Sequence, residues 1–277
     1  MVSDPTNPCD PSVLAGTCQN TEVTAKVFLQ AAYVNTTGMM NDVLRDLGYL
    51  PTVEPYSNIS TFDHQNGGEI TSLVVFGNYG NNSIVDWVYL ELRDEDDPSV
   101  VVATRAALVQ RDGDIVDMDG VSPVNFATMP GNYYLAVRHR NHIGAMTAQP
   151  VNFAVQTPPV IDFTDAQTPT WGTDAQRIQG NHAMLWGGNS NSDNQLIFQG
   201  AVNDVDPPFF VVLFDANNVG ISMNHITQGY NHADMNMDGN TIFQGDNNDL
   251  SIIFFNVLQH PANPNILIST IIYEQLP

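Results

Sequence analysis

"ADMNMDGNTIFQGDNNDL", residues 233–250, places acidic and amide side chains at every second position ahead of a glycine, and its reading decides how the second half of the chain folds. Asp234, Asn236 and Asp238 occupy positions 1, 3 and 5 of a loop, Gly239 permits a sharp turn at position 6, and Asn240 can present its backbone carbonyl at position 7. A hard cation such as Ca2+ takes about six to eight oxygens, which a tightly curled loop can converge from alternate residues. Position 12, where a closing carboxylate belongs, is Gly245. The expectation is therefore a loop lengthened to Asp249, with Asn248 or Asp246 assisting.

Sliding the chain by 45 residues lays "GNSNSDNQLIFQGAVNDVDPPFFVVLFDANN" (188–218) over residues 233–263 without a gap. Asn191/Asn236, Asp193/Asp238, Ile197/Ile242, Gly200/Gly245, Asp204/Asp249 and Phe209/Phe254 are identical pairs, so polar oxygens and large apolar residues return in one order. Composition bias alone would not preserve that order. The corresponding ligands of the first loop are Asn189, Asn191, Asp193, Gln195 through its carbonyl, and Asp204. Asn189 replaces the position-1 Asp and Asn194 replaces the position-6 Gly, which predicts weaker calcium binding in the first loop. Asp206, followed by Pro207, and Ser251 are the expected helix N-caps. The alternative for "SIIFFNVL" is a strand, given its β-propensity. The repeats span 189–228 and 234–273.

Working outward, residues 23–164 show short alternating runs such as "IVDWVYLELRD" and "YYLAVRHR", with Gly, Asn, Asp and Pro between them, the pattern of an antiparallel β-sandwich. "TTGMMNDVLRDLGYLP" is the helical exception, with Met40, Val43, Leu44 and Leu47 facing the core and Gly48 ending it. Asp112-Gly113 reads as a hairpin turn, and Pro130-Gly131 before Tyr133 as a tyrosine corner. His139 and His142, three apart on a continuing strand, point to opposite faces and form no zinc pair. Arg93, Arg105, Arg111, Arg138 and Arg140 are expected in cross-strand pairs on a wet face. The fold class is thus mainly β: an antiparallel β-sandwich (23–164) followed by a smaller module of two calcium-loop/helix repeats (165–277). Residues 156–176 read equally as linker or ordered edge.

Thirty Asp and Glu against eight Lys and Arg give a formal charge of −22, which repels phosphate backbones and anionic lipid, so nucleic acid is not an expected partner. No apolar run approaches the roughly 20 residues of a membrane span, and no membrane insertion is expected. Residues 1–22 form an extension in which Cys9 and Cys18 are expected to close a disulfide loop, with two free thiols as the alternative. Met1 reads as an added start or as the cut edge of a longer precursor.

The run "IVDWVYLELRDEDDPSVVVATRAALVQRDGDIVDMDG", then "GNYYLAVRHRNHIGAMTA", then the "DMNMDG... GDNNDL" units resembles a C-terminal module of large secreted, cell-surface proteins of Bacteroidetes, haemagglutinin-like with dockerin-like calcium repeats. The resemblance implies an extracellular or cell-surface setting in a long modular polypeptide, with export by the type IX route. The missing position-12 carboxylate departs from dockerin repeats and argues against cohesin-type partner binding.

No G-x-S-x-G elbow, H-E-x-x-H or phosphate-cradling glycine loop is present, so no enzyme is expected. The favoured reading is a calcium-binding structural or adhesion module that self-associates or binds other surface proteins, with "NILISTIIYEQLP" (265–277) either completing the second repeat or serving a neighbour. The alternative is a glycan- or protein-binding module, for which exposed Trp171, Trp186 or Tyr side chains would be the sign.

Overall fold

The computed structural model describes residues 20–155, 157 and 159–277. Cys9 and Cys18, and the expected disulfide with them, lie outside the described residues. The first half is carried by strands β1 (Thr21–Lys26), β2 (Tyr33–Val34), β3 (Met39–Met40), β4 (Ile84–Asp94), β5 (Val101–Gln110), β6 (Asp114–Val116), β7 (Val124–Phe126), β8 (Asn132–His139), β9 (His142–Met146), β10 (Val151–Asn152) and β11 (Val160–Asp162). It holds one short helix, α1 (Val43–Asp46). The fold is mainly β, and its pairing is antiparallel except for β1 with β11.

Pairing links nine of these strands in one sheet of order β10-β8-β4-β5-β6-β1-β11, with β7 on β1 and β9 on β8, while β2 and β3 pair only with each other. One apolar cluster takes Val23 of β1, Leu90 of β4, Leu108 of β5, Val124 of β7, Leu135 of β8 and Ile161 of β11. Strand β4 is the reason the sheet has two dry faces. Its residues Ile84 through Arg93 are all buried, so it loses the polar/apolar alternation of a half-exposed strand. Part of that cover is the segment from α1 to residue 82: Tyr56 donates to the Trp87 carbonyl at 2.9 Å, the Trp87 indole donates to the Pro51 carbonyl at 2.9 Å, and Phe62 packs on Tyr89.

Several expectations change here for that reason. Arg93, Arg138 and Arg140 are buried, not on a wet face, and each is held by a carboxylate: Glu91 at 2.6 Å, Glu91 and Glu274 at 3.4 Å, and Asp86 at 2.9 Å. Arg105 and Arg111 keep partial exposure. The expected helix shrinks to α1, because Met39 and Met40 pair with Val34 and Tyr33 in a small hairpin. Met40 and Leu44 are buried as expected, but Leu47 is 49% exposed. Gly48 does end the helix at φ +71°. Gly113 turns the β5–β6 hairpin at φ +89°, and the Tyr133 hydroxyl donates to the Met129 carbonyl at 2.8 Å, the expected corner.

The second half begins with the hairpin β12 (Gln176–Gln179) and β13 (His182–Leu185). Leu185 donates to the Phe28 carbonyl at 2.8 Å, and Ala175, Met184 and Leu185 join the apolar cluster of the first half. From residue 159 onward the chain is therefore anchored as an ordered edge. The repeats follow: β14 (Gln195–Ile197), α2 (Asp206–Phe214), β15 (Ile226–Gln228), then β16 (Asn240–Ile242), α3 (Leu250–Gln259), β17 (Ile271–Tyr273). "SIIFFNVL" is helical, and the C-terminal run supplies β17 with Ile272 buried.

Candidate functional site

Each repeat is a loop, a strand, a helix and a second strand, and the two are interleaved. β14 of the first repeat pairs with β17 of the second, in the register Gln195↔Tyr273, Leu196↔Ile272, Ile197↔Ile271. β15 pairs with β16 as Gln228↔Asn240, Thr227↔Thr241, Ile226↔Ile242. Adding 45 to the first-repeat residue of each pair and subtracting 45 from its second-repeat partner turns the first ladder into the second, so the sequence repeat is a pseudo-twofold of the backbone. Neither repeat can form its ladders alone.

The loops share most of their internal hydrogen bonds. Asp249, just before α3, turns its carboxylate back into the loop and accepts the N–H groups of Met235 (2.7 Å), Asn236 (3.2 Å) and Ile242 (2.7 Å). Asp204 does the same before α2, accepting from Asn191 (3.4 Å) and Ile197 (2.7 Å). Asn236 accepts from the Asp238 N–H and Asn191 from the Asp193 N–H, both at 3.0 Å. Asp238 accepts from Asn240 (2.9 Å), Asp193 from Gln195 (2.7 Å). Side chains at alternate positions thus curl each loop inward, as expected from the spacing. The Glu274 N–H donates to the Asn194 carbonyl and the Gly229 N–H to the Gly239 carbonyl, which makes Gln195/Tyr273 and Asn240/Gln228 the wide pairs of their ladders. In such pairs the backbone groups turn away from the partner strand, so the Gln195 and Asn240 carbonyls face the loop side.

Asp204, Asp234 and Asp249 are fully buried. Burial pushes the Asp249 and Asp204 carboxyls up to about 8 and Asp234 up to about 7, the last against the pull of Arg140. Among the described residues no Lys, Arg or His nitrogen lies within 4.0 Å of any of the three. The Asn189 side-chain oxygen is buried and has no hydrogen-bond partner. These carboxylates are not gathered as tightly as a filled site: among the described residues the one trio of His or acidic ligand atoms lying within 4.8 Å of one another is Glu54, His64 and Glu69.

Three details differ from the sequence reading. The helix caps are Asn203, whose side-chain oxygen accepts the Val205 and Asp206 N–H groups, and Asn248, which accepts from Ser251; Asp206 and Ser251 already belong to the helices. Asn194 does not adopt a left-handed conformation; the left-handed non-glycine pairs shared by both loops are Ser192 (φ +60°) with Met237 (φ +58°) and Val202 (φ +55°) with Asn247 (φ +57°). Asn218 and Asn263 were passed over, although they are identical at the same 45-residue offset. Each donates to the last turn of its helix, at Val212 or Val257, and to the chain beyond, at Ser222 or Leu267, tying helix end to final strand.

The His139–His142 hairpin was also misread. The chain turns between the two histidines, which pair across the hairpin end with Nδ1 atoms 3.0 Å apart. Its tip joins the first half to both loops: Arg140 donates to the Asn231 carbonyl, its own carbonyl accepts from Ser192, the Asn141 carbonyl accepts from Gly188 and Asn189, and its amide donates to the Asp234 carbonyl at 2.8 Å. Burial lowers both histidines, His142 strongly. Asp86 is buried too, yet Arg140 and His139 hold its carboxyl well below the ordinary range. Tyr230 donates to Asp86 at 2.7 Å and carries the Arg140 guanidinium over its ring. This is a structural clasp, with its charges paired internally.

Compared with known proteins, the chain matches no family model, no curated protein and no solved structure. No helix among the described residues is long and apolar enough to cross a membrane.

Proposed function

We propose that the chain is a calcium-stabilised, non-catalytic structural or adhesion module of an extracellular or cell-surface assembly. The observation that carries this reading is the pair of symmetry-related loops, each closing on a buried carboxylate that has no cationic side chain beside it. Buried charge without a partner is costly, and a bound dication removes the cost. In the second loop Asp234, Asn236, Asp238, the Asn240 carbonyl and Asp249 would hold Ca2+. In the first, Asn189, Asn191, Asp193, the Gln195 carbonyl and Asp204 would do so, and the unpartnered Asn189 oxygen fits a cation ligand. The ion supplies charge compensation and crosslinks each loop to the start of its helix. Millimolar calcium outside cells suits sites of modest affinity, in keeping with the resemblance to Bacteroidetes surface modules.

The partner side of this proposal rests on exposed apolar groups of the repeats. Phe210 and Phe214 stack at 5.9 Å on the outside of α2, and Phe214 is 74% exposed. Trp186 is buried and Trp171 packs edge-on against Tyr134, which removes both tryptophan platforms of the glycan-binding alternative; of the exposed tyrosines, Tyr79 carries the Arg45 guanidinium over its ring and Tyr273 lies on β17 of the second repeat. Self-association or contact with another surface protein is therefore favoured.

Thermal unfolding during a calcium titration, with EDTA as control, tests the reading. Calcium at a hundredfold above Kd should raise Tm by about 5 to 10 °C for a chain of this size. An unchanged Tm would reduce both loops to polar turns. Light scattering across protein concentrations tests the partner: a strict monomer in calcium removes self-association.

A further inference from the structure

We propose that Glu54, His64 and Glu69, far from the loops in sequence and in a different part of the fold, form a binding site for a divalent transition ion of the zinc class. The backbone sets the three together. Glu54 donates to the Glu69 carbonyl at 3.0 Å and Thr71 to the Thr52 carbonyl at 2.8 Å, so the two carboxylates project side by side from a short bridged pair. Gly67 lets the intervening turn press on the imidazole: a Cβ there would lie 2.6 Å from the His64 ring. His64, Glu54 and Glu69 side chains are all buried, and their ligand atoms lie within 4.8 Å of one another. Two ligands about 2.1 Å from one metal stand at most about 4.2 Å apart, so a shift of a few tenths of an ångström closes the set.

The protons on the ring point the same way. The Thr104 hydroxyl donates to the Gln65 carbonyl (3.2 Å) and accepts the Gln65 N–H (2.8 Å), so at 3.0 Å from His64 Nδ1 it is an acceptor and Nδ1 carries the hydrogen. The other ring nitrogen, Nε2, faces a Glu69 oxygen 2.9 Å away. A metal ion bound by this nitrogen and this oxygen would displace any proton held between them. A ligating histidine fixed through its other nitrogen, with carboxylates fixed by further hydrogen bonds, is the usual support of a metal site. Glu54 has that support too, each oxygen taking one backbone N–H, from Gly68 at 3.1 Å and Ser57 at 3.0 Å. Arg105 reaches Glu69 at 3.4 Å and Asp117 at 2.8 Å, so it brings one positive charge to the three carboxylates Glu54, Glu69 and Asp117. A cavity of about 360 Å³, lined in part by Glu69, Gln65, Thr104 and Arg105, gives an approach from solvent. One imidazole with two carboxylates suits Zn2+, Co2+ or Mn2+, whereas Ca2+ prefers oxygen alone.

The test uses the full chain saturated with Ca2+, so that the loops do not compete, and titrates Co2+ while recording the visible spectrum. One equivalent should produce ligand-field bands, which Zn2+ then abolishes. Glu54→Gln and His64→Gln should each weaken Co2+ at least about 100-fold, with circular dichroism confirming that they fold. Because either variant could lose its fold, the His64 ring is also followed by nitrogen NMR in the wild type: Zn2+ should shift Nε2 and leave Nδ1 protonated. Absence of cobalt bands, bands that survive His64→Gln, or a His64 that reads as imidazolium and ignores Zn2+ would each overturn the proposal. None of these outcomes depends on whether the loops bind calcium.

Discussion

The two repeats share their ladders, caps and loop bonds, yet they differ at the two loop positions that matter most for charge and close packing. Position 1 is Asn189 in the first and Asp234 in the second; position 6 is Asn194 in the first and Gly239 in the second. The first difference changes what a cation would meet, and the second changes what the loop packs against. Asn194 accepts from Arg138 at 2.9 Å, whereas Gly239 lies against Leu47 and Tyr49, where a Cβ would come within 2.6 and 3.0 Å of them. Identical residues in the repeats are therefore those that build the scaffold. The divergent ones answer to surroundings that the pseudo-twofold does not share.

The largest effect that could break this comparison is the pH dependence of the metal-free protein. Burial raises Asp204, Asp234 and Asp249 to about 8, 7 and 8, above the carboxylate value of the unfolded chain. The folded state then holds protons that the unfolded state has released, so this contribution is fully present below about pH 4 and is lost as pH rises through 7 to 8. Tm in EDTA should fall steadily from pH 5 to pH 8. With calcium the ionised carboxylates are compensated and Tm should stay nearly level, so the two curves diverge upward in pH. Binding to the second loop, with Asp234 and Asp249, should release more protons than binding to the first, which calorimetry in buffers of different ionisation enthalpy can count. Parallel Tm curves would show that the carboxylates do not face a cation.

Asp249→Ala and Asp204→Ala come next. Asp249 supports three backbone N–H groups and Asp204 two, and a buried donor left unmade costs about 1 to 3 kcal/mol. Denaturant unfolding in EDTA should show a loss of about 3 kcal/mol or more for Asp249→Ala and somewhat less for Asp204→Ala. The reverse order, or a loss under about 1 kcal/mol in either, would mean that the closing carboxylates are not the scaffold.

What could be read from the chain, and what could not, follows the same division. The register of 45 found the loops, the displaced closing Asp249 and Asp204, and the loop-then-helix order, because each is written in residues near one another along the chain. It did not find that the repeats exchange strands, since Leu196 and Ile272 meet across 76 residues through pairing that no local pattern encodes. The buried arginines were misplaced for a related reason: β4 reads as an alternating, half-wet strand, and only the cover of both its faces makes Glu91, Arg93 and Arg138 a buried network. Likewise, Glu54, His64 and Glu69 are separated by ten and five residues in a segment of irregular structure, so their approach depends on one bridged pair at Val53 and Ile70.

Gly239→Ala sharpens the packing difference between the loops. The position is left-handed at φ +84° and abuts Leu47 and Tyr49, so strain of about 1 to 2 kcal/mol adds to overpacking of about 1 to 3 kcal/mol. A total of about 2 to 5 kcal/mol is expected by denaturant unfolding. Asn194→Ala, which loses one bond to Arg138, should cost about 1 kcal/mol. Equal costs would mean that position 6 plays one role in both repeats.

Asn189→Asp is the smallest change and bears most directly on calcium. It would add the carboxylate that the first loop lacks, at an oxygen that is already buried without a partner. Affinity in such loops rises with the number of charged ligands, so the first site should tighten by about tenfold, near 1.4 kcal/mol, while the second stays as it was. Asp234→Asn is the mirror experiment and should bring the second loop toward the first. Calorimetry that resolves two classes of site in the wild type and one class in Asn189→Asp would show that position 1 accounts for the difference between the repeats. If two classes persist after the exchange, the difference lies instead in their neighbours. The Arg140 guanidinium, whose charge reaches Asp234, would then be the cause to pursue.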